Sequence, residues 1–237
     1  SLQSVEPGSI DYLFASEDYG ARLASELGAT FIPTAGMRDS LPVSATQIRQ
    51  DPHRCWEWLP EPVRRYYLRR VSIFGPESTG KSTLAARLAQ QFGTCWVPEF
   101  ARTWLEIKGS GHRVTLEDMK VIAQGQKAAE EALANRARRY LFCDTDPLAC
   151  LLWSEALCGE VAPELRRSCS QGYDLTLLLD VDVPWEADPV RYLPERRESF
   201  LEGCRTLLEA HNRPYHLLSG SWEERWQEAL GLVLNIA

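Results

Sequence analysis

Hydrophobic and polar positions alternate differently in two parts of the chain, and the change comes near residue 70. Beyond that point, short apolar runs are separated by longer stretches in which apolar residues recur every three or four positions. Short buried runs between amphipathic stretches are typical of a parallel sheet covered by helices. The pattern predicts five strands, at 71–74, 95–97, 140–143, 175–181 and 215–218.

Three helices are predicted between and after these strands. An apolar stripe over 84–92 marks a helix that follows the first strand directly. A second helix is predicted over 115–139, with an interruption at Gly125. The last helix begins with a Ser-Trp-Glu-Glu capping sequence and covers about 221–234. Together these elements predict one complete α/β domain with a five-stranded parallel sheet flanked by helices.

The first 70 residues carry a shorter pattern of the same kind. The pattern predicts a strand at 11–16, a helix at 19–27, a second strand at 30–32 and a second helix from Ala45 onward. This is about half of a mononucleotide-binding sheet, so we expect a partial Rossmann-like α/β segment. Because Pro60 and Pro62 mark a boundary zone, the predicted domains are 1–62 and 63–237.

Composition limits the partners that the chain is expected to bind. Asp and Glu outnumber Lys and Arg by 33 to 26, giving a net charge of −7, and an acidic surface repels nucleic-acid backbones. The longest apolar runs have strand length, well short of the ~20 residues of a membrane span. The first residues also lack the pattern of a secretory signal. We therefore expect a cytoplasmic protein that binds neither nucleic acid nor membranes.

One motif indicates a nucleotide site. The sequence Gly-Pro-Glu-Ser-Thr-Gly-Lys-Ser at 75–82 matches the phosphate-loop (P-loop) pattern G-x-x-x-x-G-K-[ST] and lies between an apolar strand and an amphipathic helix. Glycines allow successive N–H groups to converge on phosphate oxygens, and the helix N-terminus adds partial positive charge. Lys81 is predicted to reach the β and γ phosphates of ATP, and the Ser82 hydroxyl to bind Mg²⁺.

Acidic residues follow two of the other predicted strands. Glu99 and nearby Arg102 come after the second strand, and Asp144 and Asp146 come after the third. Open parallel sheets bind ligands at the C-terminal ends of their strands. A carboxylate at that edge can hold Mg²⁺ through water or accept the proton of an attacking hydroxyl group.

A polar segment after the fourth strand carries further candidates. Asp188 and Arg191 are followed by a charged run that contains Arg197. In small phosphotransferases such a segment acts as a lid, whose guanidinium groups neutralise charge on the transferring phosphoryl group and exclude water. The alternative interpretation is a solvated helix face.

Taken together, these motifs resemble the ribosylnicotinamide kinase domain of bifunctional NadR-type proteins. The resemblance covers residues 70–237 and rests on the P-loop, Glu-Phe-Ala-Arg at 99–102, Asp-Thr-Asp at 144–146, Tyr-Asp-Leu at 173–175, and Asp188, Arg191 and Arg197. It implies phosphorylation of the ribose 5′-hydroxyl of nicotinamide riboside by ATP and Mg²⁺, giving nicotinamide mononucleotide for NAD synthesis. One departure is Asp188-Pro189, where the family leads us to expect Asp-Gly.

The resemblance also implies a role for each motif residue. The residues implied to bind ATP are Gly75, Pro76, Glu77, Ser78, Thr79, Gly80, Lys81, Ser82 and Thr83, and Mg²⁺ is expected at Ser82 and Asp144. The residues implied to bind the substrate are Glu99, Arg102, Asp144, Asp146, Trp185 and Asp188. The residues implied in catalysis are Lys81, Glu99, Asp144, Arg191 and Arg197. Glu99 is the first candidate for the general base, and Asp144 is the second.

The N-terminal segment resembles the second half of the nicotinamide-nucleotide adenylyltransferase domain of the same family. Two sequences carry this resemblance, Ser-Glu-Asp-Tyr-Gly at 16–20 and a variant of a Ser-x-Thr-x-x-Arg phosphate motif formed by Ser44, Thr46 and Arg49. The family's His-x-Gly-His motif belongs to the first half of that domain and has no counterpart in this sequence. We therefore expect a truncated domain that does not transfer adenylyl groups by itself.

Two other functions are compatible with the same residues. A deoxynucleoside or nucleotide kinase uses the same loop, strand-end acid and Arg lid, and an NTP-sensing module would bind nucleotide without transferring phosphate. Nicotinamide riboside is a cation with a flat ring, so its pocket is expected to contain an aromatic face. The aromatic candidates beside the motifs are Trp104, Trp153, Tyr173 and Trp185. The sequence leaves the oligomeric state open, including a homo-oligomer.

Overall fold

The structure, a computed structural model, describes residues 10–16, 19–34, 42–109, 111–169, 172–186 and 194–236. The chain divides into two compact units, and the division lies between Leu59 and Pro60. Pro60 is the first of the two prolines that mark the boundary zone in the sequence. This division does not test the function predicted for either unit.

In the N-terminal unit, two parallel strands are joined by one helix. Its elements are β1 (Tyr12–Ala15), α1 (Tyr19–Leu27), β2 (Thr30–Pro33), α2 (Ala45–Gln50) and a 3₁₀ turn at Trp56–Trp58. Helix α1 lies close to β2 because Gly20 has no side chain: a Cβ atom there would lie 2.5 Å from the Phe31 ring. The predicted strand-helix-strand pattern is therefore present, with small differences at the strand ends.

The second unit is built on a parallel sheet with helices on both faces. Its strands are β3 (Arg69–Phe74), β4 (Trp96–Val97), β5 (Tyr140–Asp144), β6 (Leu175–Leu179) and β7 (His216–Leu218). Its helices are α3 (Glu61–Tyr67), α4 (Lys81–Phe92), α5 (Phe100–Lys108), α6 (Leu116–Ala134), α7 (Ala149–Cys158), α8 (Pro163–Ser168), α9 (Arg197–Ala210) and α10 (Trp222–Asn235). The strand order is β4-β5-β3-β6-β7, and every pair is parallel. The predicted α/β fold with a five-stranded parallel sheet is confirmed.

Strand β3 lies in the centre of the sheet, and the P-loop leaves its C-terminal end. On one side of β3, Ile73 is paired with Asp144 at the end of β5, and on the other side it is paired with Leu177 of β6. Ligands bind in open α/β sheets where the connections diverge to either side of a central strand. The sheet register thus places the carboxylate of Asp144 beside the P-loop.

Two apolar clusters, one on each face of the sheet, hold the layers together. On one face, Val71 and Ile73 of β3 pack with apolar side chains of α4 and α10. On the other face, Phe74 and Leu178 pack with side chains of α5 to α9. Because burial of apolar surface is the main stabilising contribution to a fold, the central strands are held from both sides.

Helix α6 corrects one expectation. It runs from Leu116 to Ala134 without a break, although the sequence predicts an interruption at Gly125 and an end near 139. The Phe100 ring occupies the space that a side chain would take, since a Cβ atom at Gly125 would lie 2.2 Å from it. Gly125 is therefore a packing position, where the ~1 kcal/mol cost of a helical glycine is offset by the close approach of α5.

The structure also adds helices α5, α7, α8 and α9, which the sequence pattern does not predict separately. Helix α7 is apolar around most of its circumference, so it shows little of the periodicity that distinguishes an amphipathic helix. Helix α9 begins at Arg197, inside the charged run proposed as part of a lid. None of the helices in the described ranges has both the length and the apolar character that would let it cross a membrane.

Candidate functional site

The P-loop between β3 and α4 has a conformation that requires glycine at two positions. Gly75 has a φ of 138° and Gly80 a φ of 86°, values that L-residues with a side chain adopt only under strain. A Cβ atom at Gly75 would also lie 2.9 Å from the Leu179 carbonyl oxygen, and one at Gly80 would lie 2.3 Å from the Trp222 ring. Both glycines therefore allow the loop backbone to turn closely against its neighbours.

Side chains of the loop hold it in this turn. The Thr79 hydroxyl and the Lys81 ammonium both donate to the Pro76 carbonyl, at 2.9 and 2.7 Å. Lys81 is the first residue of α4, so its ammonium group reaches back across the loop from a helix N-terminus. The first N–H groups of a helix have no partners within the helix, and together with a lysine they can bind an anion.

Two arginines donate to carbonyl groups of the loop. Arg225 of α10, which is 2% exposed, donates to the Thr79 carbonyl at 3.1 Å. Arg197 of α9 donates to the Ser78 carbonyl at 3.1 Å and to the Val183 carbonyl at 2.9 Å. These contacts bring two guanidinium groups next to the loop, and Arg225 is also ion-paired there with Asp182.

The segment after β6 contains several predicted lid and substrate residues. The Glu186 N–H donates to the Ser78 hydroxyl oxygen at 2.8 Å, so this segment contacts the loop. The Trp185 ring centroid lies 5.8 Å from the Arg197 guanidinium carbon. The predicted residues Asp188 and Arg191 lie outside the described residues. The lid role of Arg191 and Arg197 therefore stays a prediction. The substrate roles of Trp185 and Asp188 also stay predictions.

Ser82 and Asp144 form the candidate Mg²⁺ site. The Ser82 hydroxyl donates to Asp144 Oδ2 at 2.5 Å, and Asp144 is 1% exposed. Within the described part of the chain, Asp144 Oδ1 is a buried oxygen without a hydrogen-bond partner. These groups fit Mg²⁺, which proteins bind through one or two carboxylates together with water and substrate phosphates. The described residues contain no group of three or more His, Cys, Asp or Glu side chains that could enclose a metal.

The protonation of Asp144 depends on its surroundings. Burial raises the pKa of Asp144, and the negative charge of Glu99 raises it further, while Lys81 and Ser82 act in the opposite direction. Two neighbouring carboxylates disfavour each other's ionisation, so a positive charge placed beside Asp144 and Glu99 would stabilise their ionised forms. A divalent cation at Asp144 would supply that charge.

Glu99 faces the cavity because a different residue caps the helix that follows it. Glu99 is the N-cap residue of α5, but its side chain makes no capping hydrogen bond. Instead, Gln126 of α6 accepts from the Phe100 N–H at 2.9 Å and donates to the Thr145 carbonyl at 3.4 Å. The Glu99 carboxylate is therefore not used by the helix, and it lines the cavity together with Arg102.

Asp146 has a different environment from the other two acids. Its Oδ2 accepts from the Ser72 hydroxyl at 2.5 Å and from Arg213 at 2.7 Å, and its Oδ1 accepts from the Leu148 N–H at 2.8 Å. The side chain is fully buried, although the residue contributes to the cavity lining. These contacts hold the end of β5 in position, and the predicted metal or substrate role of Asp146 stays a prediction.

A cavity of about 380 Å³ joins the P-loop to Glu99, Arg102 and Asp146. We call the part lined by P-loop residues 77–83, with Pro184, Glu186 and Trp222, its loop end. We call the part lined by Glu99 and by residues of α5, α6 and α7 its helix end. The helix-end lining is Glu99, Ala101, Arg102, Leu105, Met119, Ile122, Gln126, Thr145, Asp146, Ala149, Cys150, Trp153 and Leu157.

The structure separates the four aromatic candidates. Trp153 lies on α7, lines the helix end of the cavity, and packs against Phe200 with ring centroids 4.3 Å apart. Trp104 and Tyr173 instead donate hydrogen bonds to buried carboxylates, at 2.9 and 2.8 Å, and neither of them nor Trp185 lines the cavity. Trp153 is therefore the candidate whose ring is available to a ligand in the helix end.

A buried acid lies one helical turn from the cavity lining. Glu130 follows Gln126 on α6, accepts from the Tyr173 hydroxyl at 2.8 Å and pairs with Arg70 at 3.3 Å. Burial raises the pKa of Glu130 to about 7, and the charge of Asp146 adds to this rise, while Tyr173 and Arg70 lower it. The protonation of Glu130 therefore changes near neutral pH, behind the wall of the helix end.

The Ser-x-Thr-x-x-Arg motif lies in the N-terminal unit. Ser44 caps α2: its hydroxyl oxygen accepts from the Gln47 N–H at 3.2 Å, and its own N–H donates to Gln47 Oε1 at 2.7 Å. Thr46 and Arg49 are exposed on the same helix. The capping contacts account for the Ser44 hydroxyl, and a phosphate-binding role for the motif stays a prediction. Residues 17–18 of the neighbouring motif lie outside the described residues.

Sequence reasoning missed three residues of this site, namely Gln126, Trp222 and Arg225. Gln126 lies in a stretch whose composition indicates only a helix. Trp222 is part of the capping sequence at 221–224, and Arg225 follows it directly. None of them belongs to a motif that points to nucleotide chemistry. Their roles depend on contacts with residues far away in the chain, which local patterns do not report.

A family model described as an AAA domain matches residues 70–225. The chain belongs to this family. It is also homologous to NadR: it is 30% identical over 208 residues to the trifunctional NAD biosynthesis/regulator protein NadR of Escherichia coli strain K12, covering 85% of this chain and 51% of that protein. The NadR of Salmonella typhimurium strain LT2 is 28% identical over 229 residues, covering 94% of this chain and 56% of that protein. The chain thus spans about half the length of the curated relatives it matches.

Solved structures support the same fold. A crystal structure of NadR in complex with NR has a TM-score of 0.77 at 22% identity and covers 99% of this chain and 71% of that one. A structure of NadR in complex with NAD and AMP-PNP has a TM-score of 0.76 at 22% identity, with coverages of 95% and 66%. A thymidylate kinase from Candida albicans reaches 0.51 at 14% identity, with coverages of 71% and 92%. The resemblance to NadR-type proteins is confirmed, and these structural matches establish the fold.

Proposed function

We propose that the chain phosphorylates the ribose 5′-hydroxyl of nicotinamide riboside with ATP and Mg²⁺, giving nicotinamide mononucleotide for NAD biosynthesis. The observation that carries this proposal is a single cavity that joins the P-loop to a carboxylate, Glu99, and an aromatic ring, Trp153. Holding two reactants in one enclosed space supplies much of the rate enhancement of a transfer reaction. Homology to NadR, whose solved complexes contain NR or AMP-PNP, supports the choice of substrates.

The loop end binds the phosphate donor. Loop N–H groups bind the phosphate oxygens, and the Lys81 ammonium, which donates to the Pro76 carbonyl in this structure, binds the β and γ phosphates. Ser82 and Asp144 would hold the metal ion, and Arg197 keeps positive charge beside the loop. When bound, Mg²⁺ neutralises charge on the triphosphate.

Glu99 accepts the proton of the 5′-hydroxyl. The hydroxyl oxygen forms a bond to the γ phosphorus, the bond from that phosphorus to the β-phosphate oxygen breaks, and ADP leaves. Glu99 is favoured over Asp144 because it lines the cavity, whereas Asp144 is 1% exposed and accepts from the Ser82 hydroxyl. One carboxylate thus serves the acceptor and the other serves the metal.

The helix end binds the acceptor. Trp153 presents an aromatic face to the cationic nicotinamide ring, and cation–π attraction adds to the stacking. Arg102 lines the same space as Glu99. Arg102, Asp146, Trp185 and Asp188 are the further substrate contacts that we propose.

The test is an ADP-release assay on the purified chain with ATP, Mg²⁺ and a panel that contains nicotinamide riboside and the common ribonucleosides and deoxyribonucleosides. We expect ADP release with nicotinamide riboside, and mass spectrometry should identify nicotinamide mononucleotide as the product. A preference for a deoxynucleoside would replace the proposal with a deoxynucleoside kinase. Tight ATP binding without turnover on any acceptor would instead identify an NTP-binding module.

A further inference from the structure

We propose that Trp222 is the surface on which the base of ATP stacks, an inference that rests on the proposed function only in taking ATP as the donor. Trp222 lines the loop end of the cavity and is 52% exposed. Among the described residues that line the loop end, it is the one aromatic side chain. An exposed aromatic face beside a phosphate site can hold a flat base, because every base has a face that stacks on an aromatic ring.

The orientation of the triphosphate places the base near this ring. Its γ phosphate must point toward Glu99 at the helix end, where the acceptor binds. The nucleoside must then leave the loop in the other direction, past Thr83 in the first turn of α4. Thr83 and Trp222 both line the cavity, so the indole lies on the side where the base is expected.

The indole is fixed in relation to the P-loop. Its ring contacts the loop at Gly80, where a Cβ atom would lie 2.3 and 2.5 Å from two ring carbons. Trp222 is the first residue of α10, and this helix start is held by a capping box between Ser221 and Glu224. A ring held in this way loses little conformational entropy when a ligand stacks on it.

Arg225 fixes the same helix start to the loop. It donates to the Thr79 carbonyl at 3.1 Å, to the Gly220 carbonyl at 3.1 Å and to the Asp180 carbonyl at 3.2 Å. Its guanidinium carbon lies 5.6 Å from the Trp222 ring centroid. The phosphate cradle and the stacking surface are therefore parts of one hydrogen-bonded structure, and their separation is set before ATP binds.

A smaller pocket of about 80 Å³ lies beside the indole and shares Thr83 and Trp222 with the main cavity. Its other walls are the apolar side chains of Leu84, Leu179 and Trp226 and the side chains of Arg87 and Arg225. Apolar walls suit a flat heterocycle, and the planes of guanidinium groups can also stack on one. The pocket therefore continues the surface next to the ring on which the base is proposed to stack.

The test compares two ligands that share the phosphates and differ in the base. Calorimetry measures the Kd of Mg²⁺-ATP and of Mg²⁺ with inorganic tripolyphosphate, for the wild-type chain, Trp222→Ala and Trp222→Phe. We expect Trp222→Ala to weaken ATP binding about tenfold and to leave tripolyphosphate binding unchanged, whereas Trp222→Phe keeps most of the ATP affinity. Tyr66→Ala, which removes an 83% exposed ring from α3, is the matched control and should change neither value.

Two results would overturn the inference. If Trp222→Ala weakens both ligands equally, the indole acts by supporting Gly80 and the loop, and not by stacking on the base. If ATP affinity does not change, the base binds elsewhere, even if the same variant still phosphorylates nicotinamide riboside. Failure of the wild-type chain to bind ATP would reject the proposed function and this inference together, so the two failures are distinguishable.

Discussion

The loop end and the helix end of the cavity are built in different ways. The loop end is formed mainly by consecutive residues, 77–83, at one strand-helix junction. The helix end is assembled from α5, α6 and α7, whose lining residues extend from Glu99 to Leu157 along the chain. Backbone N–H groups are the same for every residue type, whereas side chains differ, so the first construction suits a shared ligand such as triphosphate and the second suits a specific acceptor.

The two ends also differ in the charged group that serves each substrate. The loop end carries Lys81 together with Glu77 and Glu186, and the helix end carries Glu99 together with Arg102. In the proposed function the Lys81 ammonium serves the anionic triphosphate, and the Glu99 carboxylate serves the acceptor. Substitutions at each end should therefore affect the two substrates separately, and the following predictions test that separation.

The largest effect is expected at the loop end. Lys81→Ala removes the ammonium group that we propose to stabilise charge on the transferring phosphoryl group, and we expect turnover to fall about 10³-fold. Steady-state kinetics with nicotinamide riboside measure this loss. Lys120→Ala, a surface lysine that pairs with Glu117 on α6, is the control, and equal activity of the two variants would contradict the assigned role.

The next largest effect is expected where the two ends meet. Glu99→Gln keeps the size of the side chain but cannot accept the hydroxyl proton, so we expect kcat to fall about 10²-fold with little change in ATP affinity. Asp144→Asn should instead raise the Mg²⁺ concentration needed for half-maximal activity. Glu202→Gln, on the exposed part of α9, controls for loss of charge. A shared Mg²⁺ defect in both active-site variants would show that the two acids do not have separate roles.

A smaller effect is expected in the helix end. Trp153→Ala should raise the KM for nicotinamide riboside about tenfold, since stacking and cation–π contacts each contribute about 1 kcal/mol, and Trp153→Phe should recover most of this loss. The KM for ATP in the same variants is the internal control. If both KM values rise together, the substitution has disturbed the packing with Phe200 and the cavity as a whole.

The last prediction concerns stability instead of turnover, at the wall behind the helix end. The pKa of Glu130 rises from an ordinary value of 4.5 to about 7 in the folded chain, so the folded state binds more protons than the unfolded state between those values. The free energy of unfolding should therefore fall as pH rises through this window, by up to about 3 kcal/mol. Urea unfolding at several pH values measures the decrease, and Glu130→Gln should reduce it. An equal decrease in wild type and variant would show that other groups cause it.

Local patterns are sufficient for the elements whose signal lies in consecutive residues. The five strands, α1, α4 and α10 were each marked by an apolar run, a stripe or a capping sequence, and the structure contains all of them. Helix α7 could not be predicted in the same way, because an almost completely apolar helix has no polar face to set its period. The predicted interruption at Gly125 is wrong because the glycine makes room for Phe100, which belongs to another helix and is not visible in the local pattern.

The sequence by itself determined the P-loop and the family, because the chemistry of that loop belongs to adjacent backbone groups whose spacing is visible in the chain. Only the tertiary structure decided which acids and rings reach the cavity. Gln126 caps α5 and leaves Glu99 facing the cavity, Asp146 is engaged by Arg213, and Trp222 lies against Gly80. Each of these contacts joins residues that are distant in sequence, so packing of the sheet and helices must form before the site exists.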